Sequence, residues 1–377
     1  MAKLLKILGI LILIGFVSSI LILGRRWMDN PSGPYPYPYT FKSVPTLPQD
    51  EIAQAQVLLV GDRLGTKLSK YVQPLLDDLS KDLRKPLKMV DLTSEGEPLY
   101  RTLHKLKHIG QLPPLVIYHG GADEFYEKKL DHKFRKLLLG NIQKYRNEKI
   151  NSIVHAFPWM ARLIFSPTPV IELKETPEKY EEFAEAIEKQ IRVELYFKFY
   201  ELELEEFISF IKNQKSRFIV ITPPINIELP PKEPCGNSET PSLNVELNAI
   251  EKMIEESNFK EAYQRIGQLQ PMSLANARTY YLFGMATKGI GRPSDARGLL
   301  YRATAFDCIQ DRPTLIGYKL LLENMEKESV PLIDFNRIVN LAFGNNVLFL
   351  DEITPQGIFY NELMNELRKE IKKALNI

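Results

Sequence analysis

The chain has 377 residues, 44% of them hydrophobic and 25% charged, with 49 Lys and Arg against 47 Asp and Glu. These proportions suit a globular protein of two or three domains. A net charge of +2 argues against nucleic acid as a partner. The two cysteines, Cys235 and Cys308, lack CxxC spacing, which disfavours metal or redox chemistry and leaves a single disulfide open in an oxidising compartment. With no GxGxxG and no GxxxxGK, a nucleotide-binding domain is not expected, and no cofactor is expected.

Residues 7–24, ILGILILIGFVSSILILG, form an uncharged run of 18, flanked by Lys3 and Lys6 before it and Arg25 and Arg26 after it. That length is near the minimum for a spanning helix. The apolar run continues past the poor small-residue site at Val17-Ser18-Ser19, so an uncleaved single-pass anchor over residues 1–28 is expected rather than a signal peptide. The flanking charges are too balanced to set orientation. Residues 29–50 hold six prolines with Tyr35, Tyr37 and Tyr39 between them, and read as a stiff, extended spacer between membrane and domain.

From residue 51 the pattern is α/β. Gln56–Val60, Leu87–Leu92 and Pro114–Tyr118 are short apolar strands, separated by helical patterns over Lys67–Leu83 and Leu99–Ile109. Such alternation predicts a parallel sheet. It breaks at residue 124, and residues 124–216 are expected as a helical insertion. The end of that insertion, Pro177–Asn213, carries a stripe of Tyr180, Phe183, Ile187, Ile191, Leu195, Phe199 and Leu202 and predicts one long helix starting at Thr176-Pro177. Ile150–Phe165, with Phe157 and Trp159, is apolar enough either to cover the sheet or to touch a membrane. Residues 217–244 return to the α/β domain as a strand, Arg217–Thr222, followed by a proline-rich loop.

Residues 245–310 contain an internal repeat. Asn258–Ala262 aligns with Arg292–Ala296 at an offset of 34, and Ala262, Gly284, Ala286, Ala296 and Ala303 are small where helices must approach closely. This is a tetratricopeptide-like pattern, expected to dock on the α/β domain because two such units are marginal alone. Its helices are a candidate surface for a protein partner. Residues 311–377 resume the α/β pattern: a helix opening at Asp311-Arg312-Pro313, a strand over Val330–Asp334, the stretch FLDEITPQG, and a terminal amphipathic helix, Ile358–Leu375.

Four short blocks stand at strand ends or loops: Gly61-Asp62-Arg63, Gly96, Gly120-Gly121-Ala122-Asp123 and Asp351-Glu352-Ile353-Thr354. In this order they resemble the SGNH (GDSL) hydrolase family. The resemblance covers about residues 57–123, 217–224 and 311–375. It implies a flavodoxin-like parallel sheet, a serine nucleophile after the first strand, oxyanion donors from a glycine and an asparagine, and a histidine base near the C-terminus. Such a hydroxyl nucleophile needs an imidazole base and donors aimed at the developing oxyanion.

This chain has Arg63 at the nucleophile position, Ala122 at the oxyanion asparagine and Thr354 at the base; Gly96 and Asp351 keep their types. None of the five histidines lies in the last third of the chain. The resemblance therefore implies a catalytically degenerate member, a binding or scaffolding protein of the bacterial inner membrane with an extracytoplasmic soluble part. Its cleft would comprise Gly61, Asp62, Arg63, Gly96, His119, Gly120, Asp123 and Asp351, and would take a glycan or small anionic ligand. The competing reading is an esterase, or an acetyl hydrolase or transferase, of unusual mechanism. Asp62 is also a natural helix cap, and Asp123 and Glu124 are candidate partners for Arg63 across the cleft. His104 and His108 have i, i+4 spacing but no third ligand, so no metal is expected.

Overall fold

The computed structural model describes Val17 and residues 33–180, 186–232, 235, 240–269, 275–308, 311–344 and 346–376. The chain separates into two compact units. One comprises residues up to 43 together with 128–176; the other comprises 44–127 and 177–377.

The larger unit is built on five parallel strands. These are β2 (Val57–Val60), β3 (Met89–Asp91), β4 (Leu115–His119), β6 (Arg217–Ile221) and β7 (Leu332–Ile333), in the order β3-β2-β4-β6-β7. The pairing is in register, Val60 opposite Tyr118 and Tyr118 opposite Val220. Both faces are covered, so the strands are apolar throughout rather than alternating. Val57, Leu59, Leu115, Ile117, Ile219 and Ile221 point to one face. There they meet Leu68, Val72 and Leu76 of α2 (Arg63–Leu83) and Leu363, Leu367 and Ile371 of α14 (Gly357–Leu375). The alternate residues Leu58, Val60, Val116, Tyr118 and Val220 meet α3 (Leu99–Lys107), α7 (Ala186–Lys212) and α12 (Leu315–Lys327) on the other. Truncating a buried leucine such as Leu76 to alanine in such a layer costs about 2–5 kcal/mol.

The long helix departs from expectation at its start. Residues 177–180 are irregular, so the helix does not start at Pro177; residues 181–185 lie outside the described residues. Leu195, Phe199 and Leu202 are fully buried as the stripe requires, whereas Ile187 is exposed. Tyr200, Leu204, Phe207 and Ile211 extend the buried face onto the sheet. The segment 124–216 is thus divided: its last third is a layer of the sheet domain, and only 128–176 belongs to the other unit.

Four helices follow the sixth strand: α8 (Pro241–Glu255), α9 (Phe259–Leu269), α10 (Ala277–Gly289) and α11 (Pro293–Ala305). Helices α9 and α11 start 34 residues apart, and Ala262 and Ala296, equivalent at that offset, are both fully buried. Close approach explains the small residues. A Cβ on Gly284 would sit 2.6 Å from the Leu300 side chain. Ala296 and Leu300 join the same core as the sheet, so the helix pairs are docked on it. Cys235 and Cys308 form a disulfide across 73 residues, beside the buried pair Asp307–Arg312.

The smaller unit overturns the spacer reading for residues 33–43. Tyr39–Phe41 forms β1, paired in parallel with β5 (Ile171–Leu173). Tyr35 and Tyr39 are buried, and Tyr35 packs on Tyr37, Tyr145 and His155. Its described residues also form the helices α4 (Arg135–Tyr145), α5 (Glu148–Ala156) and the short α6 (Ala161–Ile164). Among the described residues no helix is long and apolar enough to cross a membrane. The expected anchor over residues 7–24 lies, Val17 apart, outside the described residues, so the structure gives it no support.

Candidate functional site

The turn after β2 sits at the carboxyl end of the parallel strands, where open α/β sheets place their ligands. It can only be made with glycine first. Gly61 has φ +138°, and a Cβ there would lie 2.0 Å from the His119 carbonyl oxygen. The next residue, Asp62, has no solvent exposure and is the hub of the turn. Its Oδ1 accepts from the Leu64 N–H at 2.8 Å, capping α2. Its Oδ2 accepts from the N–H groups of Gly121, Ala122 and Asp123 at 2.8, 2.6 and 3.0 Å. One carboxylate therefore ties the turn after β2 to the loop after β4. Burial, with Asp123 close by, pushes the Asp62 carboxyl up to about 7, against the pull of its backbone donors.

Arg63 opens α2 and folds over the cleft. Its Nε lies 2.8 Å from Asp123 Oδ1, and its Nη2 donates to the carbonyls of Ala122, at 3.3 Å, and Asp311. Asp123 is almost fully buried, and its Oδ2 accepts from the Gly96 N–H at 2.8 Å. Burial raises the Asp123 carboxyl, while the guanidinium and the Gly96 N–H draw it down. Gly96 itself has φ +72°, with the Tyr126 ring where a Cβ would go. Of the two carboxylates considered for Arg63, Asp123 takes it. Glu124 instead accepts from the Leu99 N–H at the start of α3.

The Asp351–Thr354 loop reaches the same end of the sheet. Ile353 packs with Leu64 and Ala122 in one buried cluster, which joins three of the four blocks. Asp351 Oδ1 accepts from the N–H groups of Ile353 and Thr354, and its Oδ2 from the Thr354 hydroxyl at 2.7 Å. Although partial burial opposes it, these hydrogen bonds hold the Asp351 carboxyl below its usual range. Lys67 stands 3.6 Å away. At the rim, Lys232 Nζ bridges Asp311 Oδ2 at 2.7 Å and Glu352 Oε2 at 3.1 Å.

His119 is fully buried, unlike a residue lining an open cleft. Its Nδ1 pairs with the Ile221 carbonyl across β4 and β6 at 3.1 Å, and burial pushes the imidazole down to about 4. Gly120 follows it, with the Tyr118 hydroxyl 2.7 Å from where a Cβ would go. His104 and His108 meet edge to face, and His108 Nδ1 pairs with the His104 carbonyl, a local helix contact. Among the described residues no group of acidic, histidine and cysteine side chains could hold a metal ion.

Residue type alone did not single out Lys232 or the Asp311 carbonyl, because both arrive from loops distant in sequence. It also gave no sign of the buried network behind Gly96. There Arg101 pairs bidentately with Glu127, which also accepts from the Tyr100 hydroxyl at 2.5 Å, while Lys105 pairs with Glu97. A groove of about 580 Å³ lies elsewhere, beside the edge strand β3 and lined by Glu51, Gln73, Asp77 and Lys88. It sits at the amino end of the strands, opposite the Asp62 turn, and brings together no comparable constellation. Comparison with known protein families, with characterised proteins and with solved structures finds no match for this chain.

Proposed function

We propose that this protein is a membrane-anchored, extracytoplasmic binding or scaffolding protein of the bacterial cell envelope. On this reading its α/β domain has an SGNH-hydrolase-like, flavodoxin-like architecture without the catalytic groups. The strand order β3-β2-β4-β6-β7 is, in chain order of the sheet, 2-1-3-4-5, as in flavodoxin-like folds. Three of the four blocks converge on the Leu64–Ala122–Ile353 cluster, and the Gly96 block joins them through Asp123. The helix pairs between β6 and β7 fit a tetratricopeptide-like insertion that offers a surface to a protein partner. The Cys235–Cys308 disulfide suits an oxidising compartment.

The observation that carries the reading is the Asp123 carboxylate, which spans Arg63 Nε and the Gly96 N–H. In the hydrolase arrangement, a hydroxyl would stand at 63 and the Gly96 N–H would await an oxyanion. Here the chain's own Asp123 side chain occupies that donor, and the side chain at 63 is a guanidinium, which is protonated at any relevant pH and is no nucleophile. Among the described residues the hydrogen bonds to the Asp351 carboxylate come from Thr354 and Ile353, not from an imidazole. What the arrangement still offers a ligand is the partly exposed Arg63 guanidinium, suited to an anionic or carbonyl-bearing group such as a glycan substituent.

The test is the full-length protein in detergent, incubated with p-nitrophenyl acetate and with a serine-directed fluorophosphonate. The expected result is no turnover above buffer and no covalent label. Turnover with labelling overturns the reading in favour of an esterase.

A further inference from the structure

The described part of the smaller unit is far more basic than the chain as a whole. Residues 33–43 and 128–176 carry eleven Lys and Arg against four Asp and Glu, a net +7 in a chain whose total is +2. Lys133, Arg135, Lys136, Arg146 and Lys149 are all exposed. The same unit leaves large apolar side chains in water. Ile153, Phe157, Trp159 and Leu163 are 40%, 55%, 49% and 37% exposed. The spacing sets them in two neighbouring pairs. Ile153 and Phe157 are one helical turn apart, joined by the Phe157 N–H to Ile153 carbonyl bond, and after the break at Pro158 Trp159 and Leu163 are again four apart. Val154, Ala161 and Phe165 of the same segment are buried, so the exposed set is an outer face and not a loosened core.

Exposed apolar residues grouped in this way mark an interaction surface. Three features of the chain name the occupant. Excess Lys and Arg complements an anionic surface. A half-exposed Trp beside Phe and Leu is the amphipathic set that settles at the headgroup level of a bilayer. The described part of this unit also begins at residue 33, only eight residues after the uncharged run that ends at Gly24. Eight extended residues reach at most about 28 Å. A unit tethered so closely stays within its own size of the membrane.

We infer that the Ile153–Leu163 face seats on the surface of an anionic phospholipid bilayer, with Phe157 and Trp159 entering the interface and the surrounding Lys and Arg over the headgroups. This deepens the proposed function, because the tether on which it partly rests is the anchor over residues 7–24. The contact would hold the smaller unit against the membrane as an interfacial foot rather than leave it on a free stalk.

The chain has two tryptophans, Trp27 and Trp159, which allow the two claims to be read apart. The full-length Trp27→Phe variant is reconstituted into phosphatidylcholine vesicles with and without about a third phosphatidylglycerol, using acyl-brominated lipids as quenchers; the Trp159→Phe variant is run in parallel. Expected for Trp159 is a blue-shifted emission and at least twofold quenching in the anionic vesicles, reduced in 0.5 M salt and in a Phe157→Ser, Leu163→Ser background. Quenching of Trp27 with Trp159 unquenched in both vesicle types would leave the anchor standing and overturn this inference. Quenching of Trp159 with Trp27 unquenched would support the inference and remove the anchor. Equal quenching of Trp159 in both vesicle types at all salt concentrations would overturn the anionic specificity. Protection of Trp159 from iodide that rises with protein concentration, without bromine quenching, would assign the face to a second copy of the chain and overturn the inference.

Discussion

The turn at Gly61–Arg63 and the face at Ile153–Leu163 treat their most reactive or most water-averse groups in opposite ways. In the turn, polar groups are turned inward and answered by the chain itself. Asp62 accepts four backbone N–H groups, and Asp123 takes both Arg63 and the Gly96 N–H. On the outer face, four large apolar side chains are left in water beside a surplus of cations. A site that satisfies its own hydrogen bonds is held together by them. A surface that leaves burial unfinished is one that a partner can complete. The two regions should therefore respond differently to substitution: the first in stability, the second in association.

The largest expected effect is at the hub. Asp62→Ala strands four buried N–H donors and should lower unfolding free energy by about 5 kcal/mol in urea titration; a loss below about 1 kcal/mol would mean that the turn is not held through this carboxylate. Replacing Cys235 and Cys308 together by Ser releases a loop of 73 residues and should cost about 4 kcal/mol, read as the same shift when the native protein is reduced.

Next comes His119. Its imidazole titrates at about 4 when folded and near 6.5 when unfolded. The unfolded chain binds the extra proton, so this stabilisation is present above pH 6.5 and lost as pH falls towards 4, by about 3 kcal/mol in all. Asp62, raised to about 7, works in the opposite sense over the same window, losing stability as pH rises. The measurement is therefore the difference between wild type and His119→Gln, which should widen from pH 4 to 6.5; a difference independent of pH would refute the buried neutral imidazole.

Arg63→Ala leaves Asp123 with its backbone donors but without its cation. Arg63 is partly solvated, so the cost should be nearer about 2 kcal/mol than that of a fully buried pair. It should also weaken binding of any anionic ligand in calorimetry; unchanged stability and binding would break the view of a charge-satisfied cleft. The smallest effect is expected on the outer face. Phe157→Ser should change stability by less than about 0.5 kcal/mol, and a loss of several kcal/mol would show that this side chain supports the core after all.

Much of the sheet domain was legible because both sides of a parallel sheet are covered. Val57–Val60, Leu115–His119 and Arg217–Ile221 are short apolar runs that alternate with helical patterns, and all appear as strands within a residue or two of expectation. The 34-residue offset was legible because identical helix pairs need small residues at the same contact. The smaller unit was not. Its strands, Tyr39–Phe41 and Ile171–Leu173, are three residues each, lie between prolines and lie more than a hundred residues apart, so neither carries a signal without the other. The start of the long helix was misplaced because Glu178 and Pro177 make a plausible first turn locally, while the observed segment through Tyr180 is irregular, with the Tyr180 N–H bonded to the Tyr126 carbonyl.

For the candidate site, composition at each position was decisive about what Arg63, Ala122 and Thr354 cannot do, since a guanidinium or a methyl group has that chemistry wherever it lies. The sequence also placed Gly61 and Asp62 at a strand end, where a tight turn and a helix cap are local requirements. Only the tertiary structure decided the partners. Asp62 reaches the 121–123 loop, Arg63 pairs with Asp123 rather than Glu124, and Ile353 closes onto Leu64 and Ala122. Those choices depend on which loops the sheet order brings together at the carboxyl end of the strands, and on burial that makes each unanswered N–H or carboxylate costly. Neither quantity exists until the strands have paired.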